Sequence, residues 1–148
     1  MSTEGTISIL NSLIKTTLDS VKGFRDAAKD AESTRYADLF AEFAQERSQV
    51  ASSLQAEVSR LGGNPEDDSS FLAAAHRTFM DLKQAFTGND DKAIIQEVER
   101  GEDHIKAKYE EALQDADLDP SSRSVVEQAF QSVKAGHDRA SQLKHSIA

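Results

Sequence analysis

The chain has 148 residues, a mass of 16.2 kDa and a formal net charge of −9, which together favour one acidic domain. An acidic surface repels phosphate backbones and anionic lipid headgroups, so the charge argues against a nucleic-acid-binding or membrane-surface protein. The absence of cysteine excludes disulfides, thiolate zinc sites, iron–sulfur clusters and cysteine nucleophiles. Neither a signal peptide nor a long apolar run is visible, so we expect a cytoplasmic protein.

Apolar residues recur at alternating spacings of three and four along almost the whole sequence, which is typical of amphipathic helices. The pattern predicts long helices over residues 6–31, 34–61, 91–117 and 120–146, and a shorter helix over residues 70–86. Gly62-Gly63-Asn64-Pro65 should stop the second long helix, and Asp119 followed by Pro120 should cap and start the last one. We therefore expect a single all-α domain over residues 1–148.

The lengths of the connections predict the topology. The first two long helices are joined by a few residues, and so are the last two, so each pair should form an antiparallel hairpin. The connection between the second and third long helices spans roughly 28 residues, which is enough to return along the whole bundle. This arrangement favours the up-down-down-up order of ferritin-like four-helix bundles, with the short helix as a crossover.

Polar residues interrupt the core-facing stripes at one level of this bundle. Counting from the two hairpin turns places four of them near the middle: Thr17, Arg47, Glu102 and His137. Gly101 and Gly136 interrupt two helices at the same level, although a glycine inside a helix costs about 1 kcal/mol relative to alanine. The level therefore has a close helix contact or room for a bound group.

A metal site is one interpretation of this level. Ferritin-like di-iron centres take a Glu from each of two helices and a Glu-x-x-His pair from each of the other two. The second helix lacks the histidine, and Lys134 stands where a glutamate should precede His137, so the complete motif is absent. A single iron, manganese or zinc ion remains an option. Its candidate ligands are Glu99, Glu102, His137, and Glu46 or Asp19.

A buried ionic network is the other interpretation, and it implies no cofactor. Arg47 keeps its charge inside a protein and requires a carboxylate, for which Glu102 is the expected partner, with Thr17 and His137 in the same network. No catalytic Ser-His-Asp elbow, phosphate loop or dinucleotide glycine fingerprint is present. A third option is an interaction module whose acidic surface binds a basic partner.

Several segments resemble an uncharacterised bacterial family of four-helix-bundle proteins, a domain of unknown function within the ferritin-like superfamily. They are Leu10-Asn11-Ser12-Leu13-Ile14, Ala44-Gln45-Glu46-Arg47, Leu61-Gly62-Gly63-Asn64-Pro65, His76-Arg77, Glu99-Arg100-Gly101-Glu102-Asp103 with Tyr109, and His137-Asp138. The resemblance implies a ferritin-like bundle in a bacterial cytoplasm with no established activity. The superfamily includes ferritins, bacterioferritins, rubrerythrins and small stress-induced bundle proteins. The matching polar positions are Arg47, Glu99, Glu102 and His137.

Two functions follow from the sequence and the resemblance. The first is a non-enzymatic, stress-associated bundle that forms a homo-oligomer such as a dimer and keeps a polar network in place of a di-iron site. The alternative is a metal-binding protein, or an oxidase or peroxide-detoxifying enzyme with a reduced metal site.

Overall fold

The computed structural model describes residues 3–31, 34–67 and 91–147. Within these ranges the chain forms four helices and no strand: α1 (Thr3–Asp30), α2 (Thr34–Arg60), α3 (Asp91–Leu113) and α4 (Pro120–Ile147). No helix in the described ranges has the length and apolarity needed to cross a membrane. The short helix expected over residues 70–86 lies outside the described residues.

The four helices pack as two hairpins, α1 with α2 and α3 with α4, which meet through α1–α3 and α2–α4 contacts. Ser122 near the start of α4 donates a 2.7 Å hydrogen bond to Glu57 near the end of α2. Thr6 in the first turn of α1 donates to the carbonyl of Asp117, just beyond α3, at 2.7 Å. Therefore α1 and α4 begin at the end of the bundle where α2 and α3 finish, which we call the base. This confirms the predicted up-down-down-up order.

Glycines terminate α2 as the sequence predicts. Gly62 has a φ of 84°, a left-handed conformation that glycine adopts without steric strain. Its N–H donates to the carbonyl of Ser59, and the N–H of Gly63 donates to the carbonyl of Val58, both at 3.0 Å. These two bonds form a Schellman motif that satisfies carbonyls at the helix end.

The turn between α3 and α4 differs in part from the expectation. The third helix ends at Leu113 and not at residue 117. The guanidinium of Arg123 binds the carbonyls of Leu113, Asp115 and Leu118, and the Asp115 carboxylate accepts the N–H of Asp117 at 2.9 Å. These contacts satisfy the backbone without a further helical turn, and the sequence pattern did not reveal them.

The helices α4 and α1 both begin at the base, and local hydrogen bonds hold their first turns. Asp119 accepts the N–H of Ser122 at 2.9 Å, so it caps α4, and Pro120 is the first helical residue as predicted. The helix α1 begins at Thr3, earlier than the expected residue 6. Thr6 is fully buried and binds the α3–α4 turn, which ties this first turn to the bundle.

The apolar core consists of two clusters on either side of the polar level. The base cluster is rich in aliphatic residues and includes Leu10, Ile14, Leu54, Ile105, Tyr109 and Val133. The top cluster is richer in phenylalanine and includes Phe24, Phe40, Phe43, Ile94, Ile95 and Ala140. The polar level lies between them and is described next.

Candidate functional site

A buried ion pair joins α2 to α3 at the middle of the bundle. Arg47 Nη2 lies 2.9 Å from Glu102 Oε2, and the two side chains are 2% and 0% exposed. Arg47 Nη1 also donates to Ser20 Oγ on α1 at 3.2 Å, and its guanidinium carbon lies 5.4 Å from the ring centre of Phe24. The guanidinium therefore contacts both an anion and an aromatic face, which are the groups that favour a buried arginine.

Gly136 on α4 makes room for this guanidinium. A Cβ atom at Gly136 would lie 2.7 Å from Arg47 Nη2 and 3.8 Å from Glu102 Oε2. The first distance is shorter than a carbon–nitrogen contact allows, so any other residue here would require the guanidinium of Arg47 to move. The cost of a glycine inside α4 is thus explained by the close approach of Arg47.

A second, neutral hydrogen bond links α1 to α3 beside the ion pair. Thr17 Oγ donates to the carbonyl of Leu13 at 2.7 Å, so the Tyr109 hydroxyl donates to Thr17 Oγ, also at 2.7 Å. Burial raises the pKa of Tyr109 to about 12. Neither Tyr109 nor Ser20 was among the polar residues that the sequence predicted for this level. The spacing of three between Thr17 and Ser20 was the available signal, because such residues share a helix face.

The second oxygen of Glu102 is less well satisfied than the first. Glu102 Oε1 is buried and has no hydrogen-bond partner among the described residues. Burial raises the pKa of Glu102, and the charge and hydrogen bond of Arg47 oppose that effect. Arg47 therefore binds one oxygen of the carboxylate, and the other oxygen keeps the desolvation penalty of an unsatisfied buried polar atom.

The structure places His137 at the edge of the polar layer, and Gly136 takes the inward position of α4. His137 Nε2 lies 2.6 Å from Asp103 Oδ1, and its Nδ1 lies 3.4 Å from Asp138 Oδ1. The inward-facing residues of α4 are Val133, Gly136 and Ala140, with the spacing of three and four that a helix face requires. His137 is turned about 100° from Gly136, so it contacts surface carboxylates and not the guanidinium.

The candidate metal ligands lie in separate contacts. Glu99 pairs with Lys144 at 3.0 Å, Glu46 pairs with Arg139 at 3.5 Å, and Glu102 pairs with Arg47. The remaining candidate, Asp19, is buried on α1. Across residues 3–31, 34–67 and 91–147, no three His, Asp or Glu side chains converge in a way that could hold a metal ion. Within the described part of the chain, the residues do not fit the metal centre that a ferritin-like fold implies, because a guanidinium occupies the layer.

Shallow grooves run along the bundle surface, and one between α1 and α2 has a volume of about 490 Å³. Two others, of about 210 and 270 Å³, follow the α1–α3 and α2–α4 contacts. None of these three grooves is lined by the polar-layer residues Thr17, Ser20, Arg47, Glu102 or Tyr109. The layer is therefore separated from them by packed side chains.

The comparisons with known proteins agree with this architecture. A family described as a domain of unknown function, DUF2383, matches residues 5–115. The chain belongs to this family. None of the curated protein sequences matches this DUF2383 chain.

A solved structure shows the same fold. It is a two-domain protein from Anabaena variabilis that contains DJ-1/ThiJ/PfpI-like and ferritin-like domains. It is similar to this DUF2383 protein with a TM-score of 0.79 and 16% sequence identity, over 100% of this chain and 41% of that protein. The likeness shows a ferritin-like four-helix bundle, which confirms the fold inferred from the sequence.

Proposed function

We propose that this DUF2383 protein is a non-enzymatic ferritin-like bundle in which an Arg47–Glu102 ion pair stands in place of a di-iron site. The single observation that carries this proposal is the Arg47 guanidinium, 2% exposed and 2.9 Å from the central carboxylate. Arginine does not lose its proton in a protein, so this positive charge is permanent. A fixed cation at this position repels a divalent ion, and the repulsion is strong because the surroundings are apolar.

The accessibility of the layer also argues against catalysis there. Glu102 has no exposed surface, and Arg47 has almost none. A catalytic site needs groups that touch a substrate in an accessible cavity, and the described grooves do not include these side chains. We therefore infer that the protein acts through its outer surface, as a binding or assembly protein.

The physiological setting in the proposal is a stress-associated, self-associating protein of a bacterial cytoplasm. It rests on the resemblance to a bacterial family whose superfamily includes small stress-induced bundle proteins. The net charge of −9 supports protein partners over nucleic acid, because an acidic surface repels phosphate.

Native mass spectrometry measures the oligomer directly, and we expect a dimer. Deletion of the gene should lower survival under oxidative stress, and unchanged survival would remove the stress role.

Elemental analysis of tag-free protein from cells supplied with iron, manganese and zinc tests the central claim. We expect no stoichiometric metal in the wild-type protein and no oxidation of ferrous iron under conditions where a ferritin control is active. Stoichiometric metal that is lost in His137→Ala but kept in the control His145→Ala would overturn the proposal. It would support the alternative of an oxidase or peroxide-detoxifying protein that uses Glu99, Glu102, His137 and Glu46.

A further inference from the structure

The core-facing stripes of α2 and α3 are periodic, and this apolar periodicity alone does not specify the axial register of the helices. The inward residues of α2 recur at spacings of three and four: Phe40, Phe43, Arg47, Val50 and Leu54. Those of α3 follow the same rule: Ile95, Val98, Glu102, Ile105 and Tyr109. If Arg47 and Glu102 were apolar, both stripes would be continuous, and a slip by one turn would again bring apolar residues face to face.

The three residues of the ion-pair level come from both hairpins. Arg47 belongs to the α1–α2 hairpin, whereas Glu102 and Gly136 belong to the α3–α4 hairpin. The Arg47–Glu102 bond of 2.9 Å and the 2.7 Å gap to the place of a Cβ on Gly136 are therefore contacts between hairpins. Within a hairpin a short turn already limits sliding, whereas a long connection joins the two hairpins.

We propose that Arg47, Glu102 and Gly136 fix the axial alignment of the two hairpins, because the guanidinium of Arg47 fits only against Gly136 and beside Glu102. We call these three residues the register lock. The inference rests on the proposed function in one respect, because it assigns a role to the ion pair that replaces the metal centre. Only the native alignment puts the guanidinium opposite Gly136 and beside Glu102. A slip by one turn, about 5.4 Å, would place it against Val133 or Ala140, which are both fully buried.

The penalty for these alternatives explains how the lock works. In a shifted register the guanidinium would contact an apolar side chain without its carboxylate, and Glu102 would be buried without its cation. Burying an unpaired charge is strongly unfavourable, so each wrong alignment has a higher free energy than the native one. A single polar residue at a core position fixes register in coiled coils by the same physics. The Thr17–Tyr109 hydrogen bond is neutral and α1–α3 specific, and it contributes less to this selection.

Spin-label distances between the hairpins test the lock. Because the chain has no cysteine, Ser59→Cys on α2 and Gln96→Cys on α3 give two unique labels at exposed sites towards opposite ends of the bundle. We expect one distance in the wild-type background. In the Arg47→Leu/Glu102→Leu background we expect a second population, shifted by about one helical turn, and doubled amide cross-peaks in the NMR spectrum.

A label pair inside one hairpin is the matched control. Ser59→Cys with Lys29→Cys also spans opposite ends of the bundle, but both sites belong to the α1–α2 hairpin and are exposed. Its distance should not change in the leucine background. If the leucine variant does not fold, as judged by circular dichroism, the Arg47→Met/Glu102→Met variant replaces it, since unbranched side chains adapt to the space more easily.

The outcomes separate this inference from the proposed function. A single unshifted distance between the hairpins in a folded apolar variant overturns the register lock, whatever the metal content of the protein. A shifted population supports the lock. Stoichiometric metal in the wild-type protein would instead contradict the proposed function, and it would do so independently of the distances.

Discussion

Two buried glutamates of this bundle, Glu102 at its middle and Glu57 at its base, have the same side chain, but their pKa values shift in opposite directions. Glu102 has one bonded oxygen, its partner Arg47 is buried with it, and burial raises its pKa. Glu57 accepts bonds from Arg60 and from Ser122 at 2.5–2.8 Å, and the hydrogen bond with Arg60 is the main reason its pKa is lowered. Arg60 remains half exposed. The direction of each pKa shift therefore depends on which effect is larger: desolvation by burial for Glu102, and the accepted hydrogen bonds for Glu57.

Removing the central carboxylate should give the largest effect in the molecule. In Glu102→Leu, Arg47 stays charged and buried without a counter-ion, and we expect a loss of about 3–5 kcal/mol of unfolding free energy. Arg47→Leu should lose less, because the remaining Glu102 can take up a proton. The double leucine variant should be more stable than Glu102→Leu. Urea unfolding at neutral pH measures all three, and additive losses in the double variant would contradict the ion-pair account.

Gly136→Ala should show the second-largest effect, with a sign that depends on the background. In the wild-type protein the new methyl group would displace the guanidinium from Glu102, and we expect a loss of about 1–3 kcal/mol. In the double leucine background the guanidinium is gone, so the helix propensity of alanine should make the substitution neutral or stabilising by about 1 kcal/mol. Alanine in place of exposed Gln131 on α4 is the control for general effects on this helix. Equal effects of Gly136→Ala in both backgrounds would disprove the contact.

Gly136 also shows how far the sequence could predict this molecule. The helices, the α2 stop, the Asp119 cap and the topology follow from local rules, namely a spacing of three and four, capping residues and connection lengths. The identity of the inward residue on α4 does not follow from these rules. Between Val133 and Ala140, both Gly136 and His137 satisfy a spacing of three and four. The partner that decides between them, Arg47, is distant in sequence. Likewise the hydroxyl pair of Thr17 and Tyr109 depends on heights known only after the hairpins are packed.

The isosteric change of glutamate to glutamine should separate the two buried sites by the size of the loss. In Glu102→Gln the amide oxygen can still accept from Arg47, but the buried guanidinium loses its counter-ion, so we expect a loss of stability that is smaller than in Glu102→Leu. In Glu57→Gln the charge-assisted bonds to Arg60 and Ser122 weaken. Because Arg60 is solvated, the loss should be no more than about 1 kcal/mol. Chemical denaturation at pH 7 with both variants measures the difference, and a loss in Glu102→Gln no larger than in Glu57→Gln would reverse our ordering.

The pH dependence of stability should show the contrast between Glu102 and Glu57 as the smallest of these effects. The raised pKa of Glu102 means that the folded chain holds its proton above the ordinary value of 4.5, where the unfolded chain has lost it. Its contribution to stability is therefore complete below pH 4.5 and is lost as the pH rises through the raised pKa. The lowered pKa of Glu57 acts in reverse, with a contribution present above 4.5 and lost as the pH falls through the lowered value. Across a pH series, the stability of the wild type relative to Glu102→Gln should decline with rising pH, whereas its stability relative to Glu57→Gln should decline with falling pH. Parallel curves for the two variants would mean that both carboxylates titrate alike, and the difference between a solvated and a buried cation would then not govern this bundle.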